Sequence, residues 1–423
     1  MGQSISVGFG TREIHIELED AVQVVYVPAG EPHASVDRDT DEAIRDRVAY
    51  AIMHPVQFLG IDQLLTPGDR LAIALEPGLP RPDQILQGVL QVVEACEPAQ
   101  ISVVISEWTD AATRETIRQS LPERVELLTH RLDDRGSHSY LGADEEAEPI
   151  RLHVALGESD VVLPISVMRP TDPLTGGASS DAIYPGLVDQ GQWRRLIRRV
   201  TRSFEQPNSL THGMLATRTW AENQSQQVRW TLGVQLVAAV ELTALGGVGR
   251  VLAGTPESLL GAVRSLVDES LPSGADQPAD VVVVCVEGGP AQQTLANLAR
   301  AALIGQSHAT LSGSIVVVSD LDSLRLAEGD RDAAPAELAD DDSERDAAEA
   351  ASQEGTISQN AFARRLLSTV VNRVDNNRRY LLWSRCPAEA AEAFGFGVIE
   401  NQAALARLIN QHPQCHVIRV AQT

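Results

Sequence analysis

The sequence of 423 residues contains no lysine, so all 34 of its basic residues are arginine. A guanidinium stays protonated and delocalised near neutral pH, and it does not form the covalent bonds that a lysine amine forms. The absence of lysine therefore excludes every site built on that amine. It rules out a Schiff base with pyridoxal phosphate and a phosphate-binding loop of the Gly-Lys-Ser/Thr type.

Long apolar runs are also absent, because no stretch approaches the roughly 20 apolar residues that cross a bilayer. No N-terminal segment combines a basic start with an apolar core, as a secretory signal does. The opening MGQSIS matches a myristoylation pattern, but its alternation is that of a β-strand and nothing basic follows it. We expect neither a leader nor a membrane partner.

Cysteine and positive charge are scarce. The four cysteines lie far apart, three of them in apolar contexts typical of reduced thiols, which predicts a cytoplasmic protein. A formal net charge of -24 and a pI near 4.8 repel nucleic acid and anionic membranes, so neither is expected as a partner. The composition gives no indication of oligomeric state.

Strands and helices alternate along most of the chain, and this pattern predicts an α/β fold with mostly parallel sheets flanked by helices. The length and the 43% hydrophobic content predict two domains. The linker LPSGADQPAD places their boundary between 1–272 and 273–423. Residues 328–354 are acidic and rich in alanine, which indicates a solvated insertion. The last helix is expected to pack back on the N-terminal domain.

Local patterns predict individual elements. Residues 5–28 are predicted to form two strands that bracket a charged turn, TREIHIELED. Asp39 or Thr40 is expected to cap a helix that starts at Asp41. WRRLIRR predicts a helix whose basic face pairs with acidic surface groups. The glycines at 246, 247 and 249 favour a hairpin turn over a dinucleotide fingerprint, because they lie between two strands. HPQCH is not expected to bind a metal without further ligands.

The stretch from Val161 to Leu187 combines an apolar strand, the Gly176-Gly177 pair and a Tyr-Pro-Gly turn before an arginine-rich helix. A backbone so free of bulk lets main-chain N–H groups approach an anionic or planar ligand. An ordinary surface loop is the alternative interpretation. The carboxyl ends of the preceding strands, RLAIAL and ISVVIS, are expected at the same edge of the sheet.

In order and spacing, these motifs resemble the nickel-pincer lactate racemase family over most of the chain. Members of that family carry a strand, a histidine, a glycine pair, a lysine and a Pro-Gly. The glycine pair matches Gly176 and Gly177, and the Pro-Gly matches Pro185 and Gly186. The resemblance implies two α/β domains with a cleft between them. It also implies interconversion of a 2-hydroxy acid by a nickel-bearing pyridinium cofactor. The cofactor is tethered to the lysine as a thioamide.

The positions that carry the family's chemistry are substituted. Where the lysine is expected, this chain has Ala178, Ser179 and Ser180, so a covalently bound cofactor is excluded. The Asp-x-Thr-Arg-Pro motif is replaced by EPGLPRP, with Glu76 as the acid and Arg81 displaced by two positions. The Gly-x-His-Arg motif is replaced by Glu107-Trp-Thr109-Asp110, in which threonine does not shuttle protons near neutral pH.

Three further family positions also differ. Met168-Arg169 stands where the second acid/base histidine is expected, and the nickel-ligating histidine falls near Ile197. A catalytic lysine of the second domain is matched by Arg300. An arginine there keeps the charge and could bind a carboxylate in a bidentate fork, although a surface ion pair is the alternative.

We interpret the chain as a diverged, catalytically degenerate lactate racemase-like protein with a residual cleft for a small carboxylate or phosphate. The substrate-binding candidates are Arg81, Thr109, Gly176, Gly177 and Arg300; no resident metal is expected. Two alternatives stay open. One is an active isomerase or epimerase that uses a non-covalently held nickel-pincer nucleotide or a carboxylate pair drawn from Glu76, Glu107 and Asp110. The other is an acidic interaction protein whose partner-binding element is the segment 328–354.

Overall fold

The computed structural model describes residues 3–19, 21–28, 40–168, 182–205, 210–243, 247–270, 277–290, 292–322, 367–368, 370–371 and 377–421. Gly176, Gly177, the serines that follow them and the acidic segment 328–354 lie outside these residues. The predictions for them stay predictions.

Sixteen strands are present in the described residues: β1 (Gln3–Phe9), β2 (Arg12–Leu18), β3 (Gln23–Pro28), β4 (Arg70–Leu75), β5 (Gln100–Ser106), β6 (Val125–His130), β7 (His138–Ala143), β8 (Pro149–His153), β9 (Val161–Val167), β10 (Val237–Leu242), β11 (Val248–Gly254), β12 (Ala279–Glu287), β13 (Ala309–Val318), β14 (Arg379–Trp383), β15 (Gly397–Val398) and β16 (Gln414–Ala421).

The helices that position these strands are α1 (Asp41–Met53), α2 (Ile61–Leu64), α3 (Pro82–Val93), α4 (Ala111–Ser120), α5 (Val154–Gly157), α6 (Gln190–Glu205), α7 (Leu210–Leu232), α8 (Pro256–Ser270), α9 (Leu295–His308), α10 (Ala388–Ala393) and α11 (Gln402–Asn410).

The first sheet has six strands in the order β11-β10-β9-β4-β5-β6, and only β11 runs antiparallel to its neighbour. Its outer face packs against α1 and α3 through residues such as Ile44 and Ile85. The strands RLAIAL and ISVVIS are apolar at successive positions because both faces of a parallel sheet are buried. The predicted hairpin is confirmed as β10 and β11.

The second sheet also has six strands, in the order β15-β14-β13-β12-β16-β3, and every neighbouring pair is parallel. The inner faces of the two sheets share one apolar core, in which Ala74 and Val104 of the first sheet join Val282 and Val284 of the second. The prediction of an α/β fold with mostly parallel sheets is confirmed.

Residues near the N-terminus complete the second sheet. Strand β3 pairs with β16, with Val25 opposite His416. The predicted domain boundary at 272/273 stays a prediction. The second sheet nevertheless contains a strand from each side of that boundary, because β3 precedes it and β16 follows it. The last helix, α11, packs on β2, since its Leu405 and Ile409 share a core with Ile16.

The predicted charged turn after β1 is wrong, because Arg12–Leu18 is a strand paired antiparallel with β1. Its alternate residues Ile16 and Leu18 are buried against the outer face of the second sheet, while the charged residues between them face solvent. Apolar and polar residues do alternate along β2, as in a strand with one buried face. The alternation is hard to recognise in the sequence because the strand is short and its exposed residues are charged.

A buried ion pair fixes this hairpin on the second sheet. Arg419 Nε donates to Glu287 Oε1 at 2.5 Å, and its Nη1 lies 2.7 Å from Glu13 Oε1. Burial raises the pKa of Glu287 to about 7, although the Arg419 guanidinium opposes the shift. A Cβ at Gly8 would lie 2.2 Å from Glu287 Oε1, so only glycine leaves room for this carboxylate.

A local sequence signal accounts for the start of α1. The side chain of Thr40 accepts a hydrogen bond from the N–H of Ala43 and caps α1, as predicted. Helix α7 extends to Leu232 and includes the WTL segment expected to begin the hairpin.

No helix in the described part of the chain has both the length and the apolar character needed to span a membrane.

Candidate functional site

The carboxyl ends of β4, β5, β6 and β9 lie side by side at one edge of the first sheet. This edge is where an open parallel sheet binds its ligands. It carries Glu76 after β4, the segment Glu107–Asp110 after β5 and Met168 after β9. The structure therefore brings these predicted residues to one edge of the first sheet, and the contacts of each side chain determine what it can do.

Glu76 is buried, with 7% of its surface exposed. Its Oε2 accepts a hydrogen bond from the backbone N–H of Val167 at 2.8 Å, and its own N–H donates to the carbonyl of Ile165. The side chain thus fastens the end of β4 to the end of β9, directly before the glycine-rich segment. A carboxylate held in this way is an acceptor for the backbone as well as a candidate acid or base.

Arg81 lies at the start of α3 with a left-handed backbone, at φ 47°. Its Nη2 is 2.7 Å from Asp41 Oδ1 of α1, and its Nε is 3.7 Å from Asp83 Oδ1. The Arg81 guanidinium holds the pKa of Asp41 below its usual value. In this conformation Arg81 links two helices on the outer face of the sheet.

The segment after β5 brings together three predicted residues. Glu107 Oε1 accepts from the N–H of Leu132 at 2.9 Å and so ties β5 to the end of β6. Asp110 caps α4 by accepting from the N–H of Thr113 at 2.9 Å. Burial opposes ionisation of Asp110, but its hydrogen bonds from Thr113 and the local backbone lower its pKa. Thr109 is buried, and its carbonyl accepts from Arg114.

Arg300 lies one helical turn beyond the start of α9, where its Nη1 donates to Asn297 Oδ1 at 3.3 Å. Asn297 is fully buried and donates from Nδ2 to the carbonyl of Gln292 at 2.8 Å. Gln292 in turn donates from Nε2 to the carbonyl of Gly78, at 3.4 Å. This chain of hydrogen bonds joins the loop after β4 to the loop after β12, so the carboxyl ends of the two sheets meet here.

Aromatic side chains at the same edge have no counterpart in the sequence predictions. Trp108 contacts Trp193 of α6 edge to face, with ring centroids 4.6 Å apart. Tyr184 is buried in the same apolar core cluster as Trp193. The signal in the sequence is Trp108, next to Thr109, because a large aromatic side chain gains free energy when another aromatic ring packs against it.

The basic face of α6 pairs with acidic groups, as predicted. Arg195 forms ion pairs with Asp144 and Glu146, and Arg199 lies 3.3 Å from Glu146 Oε1. Both guanidinium groups also lie over the ring of Trp220, at 5.5 and 5.2 Å from its centroid. These contacts hold α6 and α7 onto the β7–β8 turn.

Three histidines form a cluster behind the site. His130 at the end of β6 is fully buried, and its Nε2 lies 2.9 Å from the carbonyl of Val188. Its ring stacks on His138 at 4.8 Å and meets His153 at 6.0 Å. Burial lowers the pKa of His130 to about 3, and burial also lowers the pKa of His153. His130 and His153 are therefore neutral near pH 7.

The described residues do not fit a nickel-pincer cofactor. The two family positions for proton-transferring histidines are occupied by buried Thr109 and by buried Met168, next to Arg169. His130 is the histidine at this edge, and its Nε2 contacts a backbone carbonyl. No group of three or more histidine, cysteine or acidic side chains within the described residues is arranged to hold a metal ion. No catalytic step at this site is assigned to a nickel-pincer cofactor.

No protein-family model matches the sequence, and no curated protein matches it significantly. Solved structures do match. The lactate racemase apoprotein from Thermoanaerobacterium thermosaccharolyticum has a TM-score of 0.70 at 13% identity, and the match covers 100% of both chains. A structural-genomics target from Thermotoga maritima has a TM-score of 0.53 at 12% identity, covering 85% of this chain and 92% of the other. The chain has a lactate racemase-like fold along its whole length.

Proposed function

We propose that this protein is a diverged lactate racemase-like protein that has lost the racemase reaction and keeps a cleft for a small carboxylate or phosphate. One observation carries the proposal: a chain with the fold of a lactate racemase apoprotein over its full length contains no lysine. An arginine does not form the covalent link that the family's reaction depends on, because its guanidinium is a poor nucleophile.

The contacts of the predicted acid/base residues support the loss of the reaction. Glu76, Glu107 and Asp110 each accept a hydrogen bond from a backbone N–H, and each bond joins or caps secondary structure. A general acid or base must reach the substrate with the atom that exchanges the proton. These three side chains are already used to hold the strand ends and α4 in place.

The hydrogen-bonded bridge between the sheets supports the residual cleft. Arg300 stands on the first turns of α9, where the backbone N–H groups at the start of a helix favour anions. The guanidinium adds a fork that matches a carboxylate or phosphate. Gln292 and Asn297 hold the loop beside it. We assign the anion-binding role to Arg300, and to Arg81 only if its ion pair with Asp41 opens.

The racemase reaction is tested on protein produced together with the enzymes that make the nickel-pincer nucleotide. We expect bare protein in native and denaturing mass spectrometry, no nickel by metal analysis, and no interconversion of D- and L-lactate by chiral chromatography. Interconversion of the enantiomers would overturn the proposal. Nickel and a small molecule that leave on denaturation would favour the alternative of a non-covalent holoenzyme.

Anion binding is tested by calorimetric titration with L-lactate and with inorganic phosphate. Replacement Arg300→Gln should weaken binding by about tenfold or more, because it removes a charge-assisted fork. The matched control is Arg407→Gln, which removes an arginine from the distant helix α11. Equal binding by both variants and the unaltered protein would exclude Arg300 from the site.

A further inference from the structure

An open cavity of about 690 Å³ lies at the amino end of the first sheet. Its wall includes Val234 and Gln235, which precede β10, and Thr255, which follows β11. Val237 at the start of β10 pairs with Gly254 at the end of β11, which fixes this end of the hairpin. The strand ends that carry Glu76 and Glu107 are at the opposite edge. This amino-end cavity is therefore separate from the candidate site, and inferences about it do not rest on the proposed function.

One aromatic side chain dominates the rim of the amino-end cavity. Trp230 in the last turn of α7 is 85% exposed, the largest exposure among the large hydrophobic side chains described. Phe58 and Val234 line the cavity beside it. Leaving an indole in water costs the free energy that its burial would gain, so an exposed tryptophan beside a cavity indicates a surface for stacking.

The polar part of the lining is dominated by primary amides. Asn223, Gln226, Gln227 and Gln235 all face the cavity. Gln227 donates to the carbonyl of Ala143, and the other three are exposed to solvent. An amide carries both donors and an acceptor, whereas a carboxylate only accepts and a guanidinium only donates. A lining of this kind matches a ligand whose groups are also both donors and acceptors, which is the property of hydroxyl groups.

Negative charge exceeds positive charge around the amino-end cavity. Arg229 is its cation, and the carboxylates of Glu257 and Glu222 lie close enough to act on that guanidinium. Glu145 adds one further negative charge to the lining. The carboxylates around this cavity disfavour an anionic ligand there. The same excess of carboxylates makes a cationic peptide the competing ligand for this cavity.

We propose that the amino-end cavity binds a neutral saccharide, with one pyranose ring stacked on Trp230 and its hydroxyl groups bonded to Asn223, Gln226 and Gln235. A pyranose has a flat face of C–H groups that packs on an indole, and an equatorial rim of hydroxyl groups that act as both donors and acceptors. The volume lies within the range of about 300–1,000 Å³ that is usual for small-molecule sites.

The test is calorimetric titration with four neutral disaccharides: cellobiose, maltose, lactose and N,N′-diacetylchitobiose. We expect at least one to bind with a Kd below about 10 mM. Replacement Trp230→Ala should weaken that binding by about tenfold or more, as is usual for loss of a central aromatic contact. Replacement Gln226→Glu, which preserves shape but removes the amide donors, should also weaken it.

The matched control is Tyr140→Ala, which removes another exposed aromatic side chain, on β7. It should leave saccharide binding unchanged. Circular dichroism melting curves check that Trp230→Ala still folds, which its exposure leads us to expect. The proposal is overturned if none of the four sugars binds, or if Trp230→Ala binds them as the unaltered protein does. Binding of a tetra-arginine peptide in their place, lost in Trp230→Ala, would also overturn it and identify a peptide site.

Discussion

At the scale of single residues, the carboxylates that are candidates for acid/base chemistry also accept hydrogen bonds from backbone N–H groups. Acidic residues directly after a parallel strand are expected at the carboxyl edge of the sheet, and Glu76, Glu107 and Asp110 do lie at that edge. Each accepts a backbone N–H. Positions directly after a strand can be found in the sequence, because the pattern that marks a strand extends over only a few neighbouring residues. It does not distinguish a capping carboxylate from a reacting one, since both uses require the same residue type.

Glu76 provides the first prediction. Replacement Glu76→Ala should lower the free energy of unfolding by about 1–3 kcal/mol, because it leaves the buried N–H of Val167 without this acceptor. Urea unfolding followed by circular dichroism measures the change. The control is Glu115→Ala on α4, whose carboxylate is half-exposed and pairs with Arg118 at the surface; it should change stability by less than about 1 kcal/mol. Equal effects of the two replacements would contradict the structural role of Glu76.

The histidine cluster predicts a dependence of stability on pH. The folded-state pKa of His130, about 3, lies below the usual value of 6.5, so between these values the unfolded chain binds the proton more readily. Stability should therefore fall as pH falls from about 6.5 towards 3, by up to about 1.4 kcal/mol per pH unit from this group. His153 acts in the same direction. The neighbouring charged and titratable groups are His138, Asp134 and Glu126.

Urea unfolding at pH 7.0, 5.5 and 4.5 tests this dependence. Replacement His130→Gln removes the titrating ring, and its stability should change less between pH 7.0 and 4.5 than that of the unaltered protein. The control is His15→Gln, because His15 is exposed on β2. An unchanged pH dependence in His130→Gln would show that the cluster does not titrate on unfolding.

At the scale of elements, strands buried on both faces were the most predictable. VVVVCV and RLAIAL form central strands because continuous apolar runs have no polar face to expose. The sequence predicts a charged turn in place of β2, because the exposed face of this strand carries several charges. Helix α7 also had no clear apolar stripe in the sequence, and it is held by contacts such as the stacking of Arg195 and Arg199 on Trp220.

Helix α4 provides a prediction that separates capping from catalysis. Replacement Asp110→Ala should destabilise the protein by about 1 kcal/mol, because the N–H of Thr113 loses its acceptor. Asp110→Asn keeps an oxygen acceptor and should retain most of that stability. Thermal unfolding measures both variants. Equal losses of stability would contradict the capping role. Under the alternative of an active isomerase, loss of 2-hydroxy acid turnover in both variants would indicate a reacting carboxylate.

At the scale of the whole molecule, the N-terminal segment and the C-terminal sheet depend on each other. β3 covers the edge of β16, and Ile5, Val7 and Ile16 cover the outer face beside Val281 and Val283. A fragment of residues 273–423 would expose both the edge and the apolar face. We expect it to bind the dye ANS and to unfold without a cooperative transition.

Fusion of residues 1–28 to that fragment through a flexible linker should restore cooperative unfolding and abolish dye binding. Ile16→Asp in the fused segment should cancel the rescue, because Ile16 is fully buried in the shared core. Chemical denaturation followed by circular dichroism distinguishes the three proteins. Cooperative unfolding of the fragment alone would show that residues 273–423 form an independent domain.

The sequence by itself determined the α/β class, the parallel strands and their order along the chain, because hydrophobic period and turn chemistry act over a few residues. It also excluded covalent chemistry on lysine, since composition does not depend on folding. Only the tertiary structure decided that β3 joins the second sheet, that Arg81 faces Asp41 and that Gln292 reaches Gly78. These contacts join residues that are far apart in the chain. Each contact forms only because the packing of the whole core brings the two surfaces together.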